Sequence, residues 1–148
     1  MTATLLILYF AWIAFCCLEG LFQGYYYSLI PTDQGHPDIH WVYMVIRAIV
    51  LLSFSYLFSF ETTWGLGIVF FVIGFFTAPF FHNGVMYAKR NDLNPAIYKK
   101  RWLANKEKAP KVNADAEIEL EMPFRVTGLI VAFIFLLGII FYEIPNLQ

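Results

Sequence analysis

A chain of 148 residues has room for one domain. Of its residues 59% are hydrophobic, 20% aromatic and only 14% charged, against about 45–50% apolar and about 25% charged in an average soluble domain. That balance, with a formal net charge of −1, excludes a disordered chain and a nucleic-acid-binding domain and argues against a soluble globule.

Four apolar runs approach the roughly 20 residues that a bilayer crossing needs. The first covers about 4–24 and holds Glu19 near its end. It is preceded by neither a basic n-region nor a clear small-residue cleavage site, so it reads as a retained membrane helix. Cys16 and Cys17 are neighbours within it. On a helix their side chains diverge by about 100°, so they are poorly placed to pair. A short polar link, 25–40, carries Pro31, Gly35 and Pro37. The second run covers about 41–60 and holds Arg47. Residues 61–63 are a tight turn, which makes the second and third spans an antiparallel hairpin. The third run covers 64–82 and can continue as helix to 87; the fourth covers 125–142. None shows period-2 alternation, and four strands cannot close a barrel. In lipid the remaining way to satisfy the backbone is the helix.

Residues 88–124 form the one sizeable extramembrane segment. Eight of the ten lysines and arginines fall between Lys89 and Lys111. The positive-inside rule then places loops 25–40 and 88–124 in the cytoplasm and both termini outside. Within the loop, Asn94 and Pro95 suit an N-cap and a first helical position. The following residues, 96–103, carry Ile97, Tyr98, Trp102 and Leu103 in one apolar sector, with Lys99, Lys100 and Arg101 beside it. They predict a short amphipathic helix resting on the anionic inner leaflet. Residues 115–121 alternate acidic and apolar side chains and read as linker.

Ionisable groups inside spans cost roughly 2.5–3.5 kcal/mol on insertion scales and face a bundle interior. Connectivity alone puts the end of span one, the start of span two and the end of span three on one side. Glu19, Arg47, His82 and Asn83 therefore share a side with the link that carries His36, Asp38 and His40. Glu19 and Arg47 both lie about five or six residues inside their spans, or roughly 7–9 Å deep. Matched depth and opposite charge predict an ion pair, which either fixes helix packing or lines a polar pocket. Gln23 extends the polar stripe one turn on. Ser53, Ser55 and Ser59 are spread around span two and suit bonds to a carbonyl one turn back. Pro79, three residues before His82, removes one helix bond and can kink span three.

All three histidines of the chain lie on this side. His36 and His40 are four apart, so both rings could approach one ion, with Asp38, Glu19 or His82 completing the shell. The spacing resembles one histidine box of the membrane di-iron desaturases and hydroxylases. Those enzymes carry several boxes, and three histidines cannot supply them. The reading takes no cofactor and keeps a single metal ion on His36, His40, Asp38 and His82 as its alternative. Tyr87, Lys89 and Arg90 suit a phosphate headgroup, Arg90 by its bidentate fork.

Tyr25, Tyr26, Tyr27, Trp41 and Tyr43 form one aromatic belt, and Trp64 marks the other. Gly67, Gly74 and Ala78 in span three, and Gly128 and Ala132 in span four, are small residues of the kind that let helices approach.

The chain is therefore read as an all-α integral membrane protein, one four-span domain over 1–148, with a short interfacial helix between spans three and four. It is expected to act by binding, as a small subunit of a membrane assembly or a lipid-contacting scaffold, rather than as an enzyme. Its expected partners are membrane lipids and copies of itself or other membrane subunits, not nucleic acid. Its expected place is a bacterial-type inner membrane. Two other classes stay open. One is a small metal-dependent or proton-transferring enzyme using His36, His40, His82 and Glu19. The other is a small oligomeric channel or holin-like pore.

Overall fold

The computed structural model of the protein describes residues 2–29, 40–93 and 122–143. Among them there are four helices and no strands: α1 (Thr2–Leu29), α2 (His40–Glu61), α3 (Trp64–Leu93) and α4 (Met122–Glu143). The stretches Thr2–Tyr26, Trp41–Glu61, Trp64–Arg90 and Met122–Tyr142 are 25, 21, 27 and 21 residues long and apolar enough to cross a membrane. At about 1.5 Å per residue each exceeds the roughly 30 Å of a hydrocarbon core. The protein is an all-α membrane protein. Residues 96–103, expected to form the interfacial helix, lie outside the described residues.

The helices are longer than the apolar runs that announce them. α1 carries the three tyrosines at 25–27 in its last turns and leaves the link to begin at residue 30. α3 runs unbroken through Pro79 and on to Leu93. Backbone hydrogen bonding does not stop where side chains become polar. Hydropathy marks the edge of the membrane, not the end of the helix.

α3 is the central helix and packs against each of the others; α1 also touches α2. Partners on α1 and α3 keep a constant offset. Trp12 bonds to Gly74, 62 positions on, and Gly20 meets His82 and Gly24 meets Met86 at that same spacing, so α1 and α3 run parallel. Thr4 bonds to Glu61 and Glu19 to Arg47, so α2 is antiparallel to α1. Gly128 lies against Phe76 while Arg125 reaches Tyr87, so α4 is antiparallel to α3. Only Thr62 and Thr63 separate α2 from α3.

The buried face of α1 reads Leu5, Tyr9, Trp12, Cys16, Glu19 and Gln23. The alternating steps of four and three are the 3.5-residue repeat of helices packed at a shallow angle. With Phe58, Phe70, Ile73, Ala132, Leu136 and Ile139 the first four make the apolar core. Trp12 is wholly buried and its indole N–H donates to the Gly74 carbonyl at 2.9 Å, so the large ring brings no unmet donor inside. Thr77 Oγ1 donates to the Ile73 carbonyl at 2.7 Å, which leaves the Tyr9 hydroxyl to donate to Thr77 at 3.3 Å. Ser53, Ser55 and Ser59 bond to the carbonyls of Ile49, Leu51 and Tyr56.

The small residues are used within the chain. A Cβ on Gly67 would meet Ser59 and Ser55 of α2, and one on Gly74 would meet Leu51 and Trp12. One on Gly128 would come within 3.0 Å of the Phe76 carbonyl, and Ala132 is wholly buried. These faces hold α3 against α2, α1 and α4. Outside, Ile7, Phe10, Leu18, Ile49, Ile68, Phe133, Ile134 and Phe141 are all exposed, which suits contact with lipid acyl chains.

Candidate functional site

The buried stripe of α1 turns from apolar to polar at Glu19, and from there the bundle has a polar end. Each helix contributes to it: Glu19 and Gln23 from α1, Arg47 from α2, His82, Asn83, Tyr87 and Arg90 from α3, and Arg125 from α4. Up-down-up-down topology brings the C-terminal parts of α1 and α3 beside the N-terminal parts of α2 and α4.

Arg47 Nε donates to Glu19 Oε2 at 2.7 Å. The two side chains are 17% and 4% exposed, respectively. A guanidinium has five N–H donors in a fixed fork. One is used here, and Nη2 is buried without a hydrogen-bond partner among the described residues. α2 touches α1 only lightly, and this pair and the Thr4–Glu61 bond at the opposite end are two polar ties between them. Thr4 Oγ1 donates to Glu61 Oε2 at 2.6 Å on the exposed surface.

His82 lies one helix over. Gly20, next to Glu19, sits so close to α3 that an added Cβ would collide with the His82 carbonyl. The ring is wholly buried, and its Nδ1 lies 2.7 Å from Asn83 Oδ1. With that oxygen as acceptor, Nδ1–H is the donor. Gln23 follows one turn after Glu19. It is wholly buried, and neither its amide nitrogen nor its oxygen has a partner among the described residues.

On the α4 side of α3, two guanidinium groups approach one ring. Arg90 Cζ is 4.8 Å and Arg125 Cζ 5.6 Å from the Tyr87 centroid, within the range of cation–π attraction. Tyr87 and Arg125 are buried, and Arg90 is half-buried.

His36, Asp38, Lys99, Lys100, Arg101 and Trp102 lie outside the described residues, and His40 is the first residue of α2. Among the described residues no group of three or more His, Cys, Asp or Glu could hold a metal ion. Cys16 and Cys17 are free thiols.

Sequence reasoning passed over two features. Gly20 and Gly24 form a small-xxx-small pair against α3, a signal readable in the chain but hidden by the placement of span one's end at Gly24. Arg125 was read as the border of span four. Its meeting with Tyr87 joins residues 38 apart in number, counted from the two positions, and no local pattern announces it.

No family model matches this chain, and neither does any curated protein or solved structure.

Proposed function

We propose that this membrane protein acts by binding, as a lipid-contacting scaffold or small subunit of a membrane assembly, through the polar end of its four-helix bundle. The supporting observation is the Glu19–Arg47 pair itself. Arg47 gives one N–H to Glu19, stays partly exposed, and keeps a buried Nη2 unmatched among the described residues. The wholly buried amide of Gln23 adds further unmet hydrogen-bonding capacity nearby. Buried polar groups without partners are costly, about 1–3 kcal/mol each. Their presence suits a partner that supplies the missing bonds.

On this reading the polar end faces the cytoplasm of a bacterial-type inner membrane, with both termini outside. The concentration of lysine and arginine between Lys89 and Lys111 supports that direction. The basic segment 96–103 would rest on the anionic leaflet and add to the association. The small-residue faces at Gly67, Gly74 and Gly128 are taken up by contacts inside the bundle, which favours the polar end as the place where a partner is met.

The test is association after purification in mild detergent, with the intact chain and with residues 96–103 deleted. Lipid or a second subunit is expected to remain with the intact chain and to be weakened by the deletion. Unchanged association would refute the role given to the segment, and an intact chain that retains neither lipid nor subunit would refute the reading.

A further inference from the structure

We propose that residues 41–50 of α2 form a hinged arm, latched to α1 by the Glu19–Arg47 pair, whose release opens the polar end of the bundle to the bilayer between α1 and α2. The arm itself rests on packing. That a lipid's polar head enters past it rests on the binding role given above.

Packing divides α2 in two. From Leu51 onward the helix is seated. Leu51, Ser55, Phe58 and Ser59 are buried, and glycines of α3 fit closely against three of them, Gly74 at Leu51 and Gly67 at Ser55 and Ser59. The short turn of Thr62 and Thr63 holds that end to α3. Before Leu51 none of residues 41–50 is buried. Tyr43, Arg47 and Val50 are half-buried and lie four and three apart, on the face turned to the bundle; the other seven are exposed. The remaining helices are packed at this level, with Glu19, Gln23, His82, Met86 and Arg125 all buried.

Apolar side chains gain little by leaving lipid for a helix interface, so a membrane helix is held by close packing and by hydrogen bonds. Residues 41–50 have little of the first. Arg47 supplies the second, through a charge-assisted bond of 2.7 Å to Glu19, four residues before the seated part begins.

The helix is also softened where its packing ends. Ser53 and Ser55 donate to the carbonyls of Ile49 and Leu51, four residues back, at 2.9 and 2.7 Å. Such bonds compete with the backbone ladder and bend helices. They fall at the step from unseated to seated helix. A kink of about 20° there moves the tip of a roughly 15 Å arm by about 5 Å.

The arm covers polar groups. Gln23 lies one turn past Glu19 on the buried stripe of α1, and the antiparallel arm brings Tyr43, one turn before Arg47, to the same level. Gln23 is wholly buried with neither amide atom matched among the described residues, and Arg47 Nη2 is likewise unmatched. Moving the arm outward uncovers an amide that donates and accepts, beside a guanidinium donor. That set suits the ester and hydroxyl oxygens of a lipid's glycerol region.

The experiment uses the full chain in phosphatidylcholine bilayers, with Cys16→Ala and Cys17→Ala, and reads the separation of two spin labels by electron paramagnetic resonance. One pair, at Phe22→Cys and Met44→Cys, joins α1 to the arm. The other, at Phe10→Cys and Leu57→Cys, joins α1 to the seated half. All four positions are exposed. Glu19→Ala, Arg47→Ala and the double variant are each expected to lengthen the first separation by about 3–4 Å, the displacement of Met44 in a kink of about 20°. The second separation is expected to stay at the parent's value, which also shows that the variants fold. The double variant strands no charge. An arm pushed out by an unpaired charge would close again in it, whereas an unlatched arm stays open.

A first separation equal to the parent's in the double variant would overturn the latch, because packing alone then closes the arm. No change in any of the three variants would overturn it as well. Equal lengthening of both pairs would overturn the hinge, because all of α2 has then come loose. A parent chain that retains neither lipid nor a subunit would remove the lipid's entry together with the binding role, while the label separations still decide the arm.

Discussion

Replacing Glu19 and Arg47 by Gln, singly and together, measures what the intramembrane ion pair does. The side chains are 4% and 17% exposed, and Nε and Oε2 are 2.7 Å apart. Two unit charges at about 4 Å attract by about 4 kcal/mol at an effective dielectric near 20. Stranding one member of a buried pair costs about 3–5 kcal/mol, whereas removing both can be nearly neutral. The two single variants should differ. Arg47 is the more exposed and has a long stem, so it can snorkel towards the polar end when Glu19 is lost. Glu19→Gln should therefore cost about 2 kcal/mol, and Arg47→Gln, which strands the better buried carboxylate, about 3–4 kcal/mol. The double variant leaves two amides able to bond to each other and should cost about 1 kcal/mol. The resulting coupling is about 4–5 kcal/mol. The assay is unfolding by titration with a denaturing detergent, followed by circular dichroism and by the fluorescence of the tryptophans, among them buried Trp12. Single-variant losses that add to within about 0.5 kcal/mol would refute the pair as an energetic unit.

The parallel contact of α1 with α3 should be intolerant of a methyl group. Gly20→Ala and Gly24→Ala each drive a Cβ into α3 backbone, at the carbonyls of His82 and Met86, and should destabilise by about 1–3 kcal/mol in the same titration. Gly138 has nothing within 4 Å of its added Cβ, so Gly138→Ala should be neutral or stabilising by up to about 1 kcal/mol. Gln23→Met removes a buried amide without partners among the described residues and should raise the thermal midpoint in detergent, with a gain of about 1–2 kcal/mol, while weakening retention of bound lipid or subunit. Thr4→Val breaks an exposed bond to Glu61 and should change stability by less than about 0.5 kcal/mol.

The membrane spans and their order are legible in the sequence because lipid imposes a strong rule on backbone and side chain alike. The Glu19–Arg47 contact follows from connectivity and depth. Two antiparallel spans joined by a short link bring residues at equal depth together, and opposite charge makes them partners. The serine bonds of α2 follow from side-chain chemistry within one turn. The helix ends are less legible. α1 and α3 run on through Tyr25–Leu29 and Lys89–Leu93, where hydropathy has already faded. This is why Gly24 looked like a terminus and its contact with Met86 was missed. The partner of each small residue was hidden for a different reason. Gly67 and Gly128 show that close approach is wanted, but only the assembled bundle says that α2 and α4 of this same chain make it. The meeting of Arg125, Arg90 and Tyr87 depends on α4 docking antiparallel to α3 across a long intervening segment. Pairwise reading of the chain has no rule that supplies it.

A native mass spectrum of the full chain released from mild detergent tests the central claim most directly, because it reports bound lipid, bound metal and subunit number together. The account predicts a metal-free chain that carries lipid or another subunit. One metal ion per chain, lost when His36 or His40 is changed to Ala, would contradict it and establish the metal-dependent alternative.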